Sequence, residues 1–526
     1  MNPSNIKTPG VYINEINAFP NSVVPVATAV PAFIGYTPQA EYEGKSYLNT
    51  PIKITSFAEF QTFFCYPNPT PPASRVQQYN PQYYLEKQSS KPTSANFVEI
   101  QNDYYAILPD PNTIYYLYNS IRLFYDNGGS DAYIVSVGTY GKASKKPIAV
   151  DEQIINPNVK LSELKNGLSL LNKEQEPTMY ICPDATLLSV EDNGALMQNM
   201  LQQCSEMQTA ISIFDIIGAN HPAPINYTKD IEIFRNNSGT KALKYGAAYY
   251  PFVNTTICKT EDINYMNLFG GDIAQLESIL LPESQPNSAI QRIINSIKNP
   301  KEKSLTIAQY NRALIAASKT YETILKEVLH EVNILPPSGG MAGVITTIDS
   351  TIGVWKAPAN TSMNSVASLP ISLTSDQQEN LNVDAVSGKS VNAIRSFIGN
   401  GILIWGARTL DGNSIDWRYI SVRRTMTFLE QSCKLAAQAY VFAPNNKNTW
   451  EAVKSMIGSF LTDVWKQGGL QGAKASDAFA VECGLGTTMT SNDILNGFMN
   501  VSVKVALVRP AEFIVITFQQ QMAANS

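Results

Sequence analysis

The chain has 526 residues, is 44% hydrophobic, and sets 39 lysines and arginines against 44 aspartates and glutamates. That length and apolar content allow several packed domains, while a net charge of −5 offers no broad cationic footprint for nucleic acid or an anionic membrane. Six scattered cysteines, with no CxxC pair and no Cys/His cluster, read as buried thiols, so no zinc site is expected.

The opening MNPSNIKTPG has no basic stretch leading into an apolar one, and no run reaches the roughly 18 apolar residues of a bilayer span. The expectation is synthesis in a cytoplasm without a signal peptide, and no membrane insertion. Val11, Tyr12, Ile13 and Ile16 then make a short extended pattern with no local partner, so this strand must pair elsewhere in the fold, pair with another chain, or fray. Residues 30–35 (VPAFIG) read as a first core strand, although Pro31 argues against a central position. Residues 36–140 are rich in Pro, Tyr, Asn and Ser, and YPNPTPPAS (66–74) marks a rigid loop.

Strands are expected at 133–137 and 179–184, a helix at about 195–207, and another strand at 209–215. Strand, helix, strand in that order argues for a crossover and an α/β layer. Residues 263–333 turn helical and charged, with Lys326, Glu327, His330 and Glu331 read as a solvated face, and PPSGG (336–340) is expected to break the helix before a small-residue stretch. A short buried strand is expected at 402–405.

Val422, Met426, Leu429, Cys433, Ala436 and Tyr440 recur at helical spacing. A second helix follows, with Asn448 able to cap it, Trp450, Val453, Ile457, Leu461 and Val464 along one face, and Gly468-Gly469 at its end. The chain closes with two strand patterns, one through Val501, Val503, Val505 and Leu507 and one through Phe513, Ile514, Val515, Ile516 and Phe518. The second is apolar on both faces, so it needs neighbours on each side. Exchange of strands between subunits would serve both this segment and the N-terminal one, with main-chain hydrogen bonds supplying affinity.

Catalytic readings fare poorly. A nucleophile at Ser362 would need a histidine base, and only His221 and His330 exist, one in a loop and one in a charged helix. Neither Gly44-Lys45-Ser46 nor Gly388-Lys389-Ser390 carries the upstream glycine of a phosphate-binding loop, since Gln39 and Val383 occupy those places.

Residues 8–37, TPGVYINEINAFPNSVVPVATAVPAFIGYT, resemble the opening of contractile tail sheath proteins. WRYISVRRTMTFLEQS (417–432), residues 441–484 and residues 487–519 resemble that family's successive C-terminal blocks in the right order. The insertions after Tyr36 and at 263–333, with GAAYYPFV (246–253), look more like sheaths of extracellular injection particles of the antifeeding-prophage type than like the shorter phage sheaths. The resemblance implies an α/β (α+β multidomain) chain: an N-terminal strand-exchange arm at 1–25, outer α/β domains of subtilisin-like fold with inserted loops at 26–375, and an inner tube-facing domain at 376–526. In that inner domain, helices pack on a sheet completed by neighbouring subunits' terminal strands.

It further implies a non-enzymatic subunit that polymerises with itself as stacked hexameric rings around a rigid inner tube, and contracts to drive that tube through a target envelope. Baseplate and terminal cap proteins would be its other partners, nucleic acid would not be contacted directly, and the phage-tail-like particle would be open to extracellular release. The tail sheath of a true bacteriophage is the alternative, and an α/β hydrolase the disfavoured one. Because a tube contact must slip, exposed polar residues suit it, and Lys466, Gln467, Lys474 and Asp477 are the candidates. Arg423 and Arg424 either brace the inner domain or bind a neighbour.

Overall fold

The computed structural model describes residues 22–66, 79–93, 95–220, 227–283, 288–300 and 305–517. Val11, Tyr12, Ile13, Ile16, His221, Phe518 and most of the proline-rich segment after Tyr66 lie outside the described residues. The chain divides into two compact units, a larger one of Ala27–Arg424 with Arg509–Ser526 and a smaller one of Met1–Val26 with Thr425–Val508.

The larger unit is built on a mixed eight-stranded sheet. Its strands are β1 (Pro31–Thr37), β2 (Ile52–Ile54), β3 (Ala132–Thr139), β4 (Met179–Ile181), β5 (Ile211–Asp215), β6 (Gly246–Tyr250), β7 (Asn392–Phe397) and β8 (Gly401–Ile404), in the spatial order β8-β7-β6-β5-β4-β1-β3-β2. The six inner strands run parallel and the two edge strands antiparallel. Parallel strands covered on both faces read as continuous apolar runs, and β1, β4, β5 and β6 are buried along their whole length.

β1 lies in the middle, between β3 and β4, contrary to the inference from Pro31. Proline occupies its first position, one of the few a strand tolerates. β8, expected to be buried, is instead an edge strand with only Ile404 fully covered.

The helices of the larger unit include α1 (Leu117–Asp126), α2 (Val190–Met207), which links β4 to β5, and α3 (Lys319–Val332). The charged segment 263–333 is helical as expected, over Ile273–Leu280, Ala289–Lys298, Ile307–Ala317 and α3. Its charged end is not wholly solvated. Lys326 is exposed, but Glu331 turns inward to accept a hydrogen bond from Asn96 Nδ2, and burial pushes its carboxyl up to about 7.

The helix does break before Pro336, since α3 ends at Val332, but the small-residue stretch that follows is itself a helix, α4 (Ser338–Thr351). A Cβ on Gly339 would stand 2.4 Å from the Ser120 carbonyl oxygen, and one on Gly343 2.5 Å from that of Phe124. The glycines that lower helix propensity are those that let α4 lie against α1, so packing overrides propensity here.

The smaller unit holds α5 (Ile420–Ala437) from Thr425 onward, α6 (Lys447–Lys466), and a two-stranded antiparallel sheet of β9 (Phe479–Glu482) and β10 (Ser502–Val505). Val453, Ile457, Leu461 and Val464 form the buried face of α6, and Phe460 meets Phe428 of α5 edge-on at 5.8 Å. Asn446, not Asn448, caps α6, its Oδ1 accepting from the Asn448 and Thr449 amides, and Gly468 ends the helix at φ +86°.

The division into units differs from the expected boundary at 375/376. Residues 392–404 ladder onto β6 and so belong with the larger unit, and the break falls inside α5. The two closing strand patterns also part company. Residues up to Val508 go with the smaller unit and Arg509 onward with the larger.

Candidate subunit-assembly surface

In open parallel sheets, ligands enter at the carboxyl ends of strands where the winding reverses, which here lies between β1 and β4. That crevice is filled by Asp184, which follows β4. Its Oδ2 accepts the Tyr36 amide of β1 at 2.9 Å, and its Oδ1 accepts the Tyr116 and Leu117 amides at the start of α1, at 2.7 and 3.2 Å. A Cβ on Gly35 would stand 2.5 Å from the same carboxylate.

Asp215, at the end of β5, does the same for α4. Its Oδ1 accepts the Ser338 amide at 2.9 Å and its Oδ2 the Ser338 hydroxyl at 2.5 Å. Burial raises the two carboxyls to about 6 and about 7, against hydrogen bonds that pull them down. Both acids are therefore spent on closing helix N-termini. Lys389 of the second GKS tripeptide gives its ammonium to the Arg235 carbonyl, and Ser362 is exposed.

The residues with unmet demands lie elsewhere. Phe513, Ile514, Val515 and Ile516 are 71, 79, 89 and 70% exposed, and residues 506–517 form no strand. Four consecutive apolar side chains are thus left in water. The chain just before them is held. Arg408 grips Glu512 with Nε to Oε1 at 2.9 Å and Nη2 to Oε2 at 2.7 Å, and Asn382 and Tyr419 add hydrogen bonds at 2.7 and 3.1 Å. Burial would raise the Glu512 carboxyl, yet these bonds and the Arg408 charge together hold it below the usual carboxylate range.

In the smaller unit, β9 and β10 pair Phe479 with Val505 and Val481 with Val503. Ala506 and Leu507 continue the contact through Ala506 N–H to Ala478 O and a bridge to Leu470. Neither strand has a second neighbour among the described residues. Val501, Val505 and Leu507 are half-buried and Val503 is exposed. Of the polar quartet, Lys466 and Gln467 end α6, Lys474 precedes the short turn of helix at Ala475–Ala478 and Asp477 lies within it, and all four are exposed.

Arg423 and Arg424 are bracing residues. Arg423 is buried with its guanidinium 4.5 Å from the Trp417 ring and 5.1 Å from that of Tyr245. Arg424 makes a two-pronged pair with Asp349 at 2.9 and 2.6 Å and donates to the Thr28 carbonyl at 2.8 Å. Sequence reasoning missed Asp349, Arg408 and Glu512. The only available signal was the apolar setting of Glu512 beside a two-faced strand.

Residues 413–521 match the phage tail sheath C-terminal domain family. The tail sheath protein of Vibrio phage KVP40 is 24% identical over 136 residues, 26% of this chain. The contracted helical sheath of the anti-feeding prophage is similar over 98% of this chain and 100% of its own, with 25% identity and a TM-score of 0.58. Residues 413–521 are thus a match to a tail sheath C-terminal domain, and the fold of the whole chain is like that of a contractile sheath subunit. The anti-feeding prophage baseplate structure, 6-fold symmetrised, is similar over the same 98%, with all of that chain covered, 26% identity and a TM-score of 0.56. The match to the KVP40 protein spans a fifth of that protein's length. The C-terminal domain match thus sits within a chain-long likeness in fold. No helix among the described residues is long and apolar enough to cross a membrane.

Proposed function

We propose that this chain is the structural subunit of a contractile sheath, polymerising as stacked six-membered rings around a rigid inner tube and contracting to drive that tube through a target envelope. The exposed apolar run Phe513–Ile516 carries the reading, since covering one such side chain is worth about 1.5–3 kcal/mol and a second copy of the chain offers a place to cover it. In this reading the open two-stranded sheet β9–β10 receives strands from other copies: the 513–518 segment from one and the 11–16 segment from another. Main-chain ladder bonds would keep subunits linked while the bodies slide and rotate between two packings, so connectivity survives contraction.

The similar structures include a helical sheath in its contracted state and a 6-fold symmetrised baseplate, which supports self-assembly with sixfold character and baseplate association. Lys466, Gln467, Lys474 and Asp477 are assigned to the sliding contact with the tube, where exposed polar groups bind weakly enough to slip. Terminal cap proteins complete the partner set. Such a subunit performs no catalysis, needs no cofactor for the stroke, and reaches its target in a phage-tail-like particle released from the producing cell.

The test is electron microscopy of the full chain coexpressed with its tube protein, beside a variant lacking 513–517. Sheathed tubes in two lengths, lost on deletion, are expected. Monomers or small oligomers from the intact chain would overturn the reading.

A further inference from the structure

We propose that Glu512 is the anchor of the donated C-terminal strand, fixing the segment after it to the main sheet of its own chain while another copy takes that segment up. The identity of the taker rests on the sheath reading; the anchor itself is a property of the single chain.

The carboxylate is fully engaged. Oε1 accepts from Arg408 Nε at 2.9 Å and Asn382 Nδ2 at 2.7 Å, and Oε2 from Arg408 Nη2 at 2.7 Å, Arg408 Nε at 3.2 Å and the Tyr419 hydroxyl at 3.1 Å. Arg408 is 4% exposed and Glu512 19%, so the pair is largely withdrawn from water. The guanidinium is itself fixed. Its Nη1 donates to the Asn382 and Gly412 carbonyls, at 3.3 and 3.4 Å, and the Arg408 backbone amide donates to Asn392 Oδ1 at 2.8 Å. Asn392, the first residue of β7, is fully buried and donates through Nδ2 to the Ala248 carbonyl of β6 at 3.0 Å. An unbroken run of hydrogen bonds therefore leads from Glu512 to the interior of the main sheet.

The surroundings of the pair give it a purpose. Chain-ward, the residues up to Val508 belong to the smaller unit, and Pro510 stiffens the passage. Arg509 adds only a surface contact, to the Ile415 carbonyl at 2.9 Å and to Asp416 at 3.6 Å with both side chains exposed. On the other side come four residues that are at least 70% exposed. The carboxylate is thus the deepest attachment of the 509–517 segment, at the residue immediately before the apolar run. A pull on a strand held by another copy is delivered to the sheet through one bidentate, charge-assisted contact instead of peeling the segment residue by residue.

The experiment uses the full chain, with Glu512→Ala and the near-isosteric Glu512→Gln. Chymotrypsin cleavage at the Phe513–Ile514 bond is followed by mass spectrometry on the isolated protein, since the protease must draw out residue 512 to engage that bond. Cleavage in Glu512→Ala is expected to rise about tenfold or more, as for loss of a hydrogen-bonded charge pair, with Glu512→Gln in between and cleavage elsewhere unchanged. In coexpression with the tube protein, sheathed tubes should be lost or shortened for Glu512→Ala and partly recovered for Glu512→Gln.

Equal cleavage at Phe513 in the unmodified chain and both variants overturns the anchor, as does unimpaired sheath formation by Glu512→Ala. If Glu512→Ala fails to fold, the comparison of Glu512→Gln with the unmodified chain decides by the same criteria. If the unmodified chain forms no sheaths at all, the sheath reading fails, and the cleavage result still decides the anchor.

Discussion

Two residues show how a charge is used for structure in this molecule. Arg424 and Asp349 are 4% and 3% exposed and face each other in a two-pronged contact, and removing one partner would leave the other charged and dry. Asp349→Ala is expected to destabilise the chain by about 3–5 kcal/mol, read from the urea midpoint of the purified protein. Gly339 makes the steric counterpart. Its missing Cβ would press on the backbone oxygen of Ser120, which has no rotamer to escape into. Gly339→Ala should therefore cost about 1–3 kcal/mol despite alanine's better helix propensity, and a melting temperature at or above that of the unmodified chain would disprove the contact.

At the scale of elements, the exposed run Phe513–Ile516 and the β9–β10 ribbon have opposite deficits. One is an apolar run with nothing to cover it, the other a two-stranded sheet with open edges. Side chains already in water contribute little to the stability of a single chain, so deleting 513–517 should leave the unfolding free energy from urea titration within about 0.5 kcal/mol of the intact protein while abolishing sheathed tubes. A large loss of stability on deletion would show that the segment packs on its own chain, and assembly without it would show that the ribbon is completed some other way.

For the whole molecule, the buried carboxylates set the response to pH. Asp184, Asp215, Asp230 and Glu331 are pushed up by burial to about 6, 7, 6 and 7, against roughly 4 in an unfolded chain. In that window the folded chain holds more protons than the unfolded one, so acidification favours folding. Glu512 and Asp384 act the other way. Their carboxyls are depressed, and their contribution is lost only when the pH falls below the ordinary carboxylate range. Stability should therefore rise as the pH drops from about 8 to about 5.5, and Asp215→Asn should flatten the rise by raising the midpoint mainly at the alkaline end. A midpoint that falls steadily across that range would mean these acids are stabilised as anions.

Several local or periodic features of this protein were legible before folding was considered. The apolar runs of β1, β3, β4 and β5, the helical spacing of α5 and α6, the glycine stop at Gly468 and the two-faced apolar run at 513–516 are all written in neighbouring residues, and ordered C-terminal blocks pointed to the sheath family. Features that join residues distant in the chain emerged with the tertiary structure alone. It put β1 at the centre of the sheet, turned PPSGG into a helix start by laying α4 on α1, drew β7 and β8 into the larger unit, and split the two closing segments between units. It also gave Arg424 to Asp349 and Glu512 to Arg408, pairs 75 and 104 residues apart. A charged residue has no periodicity and no preferred spacing to its partner, so a buried ion pair exists only once the fold has removed both groups from water.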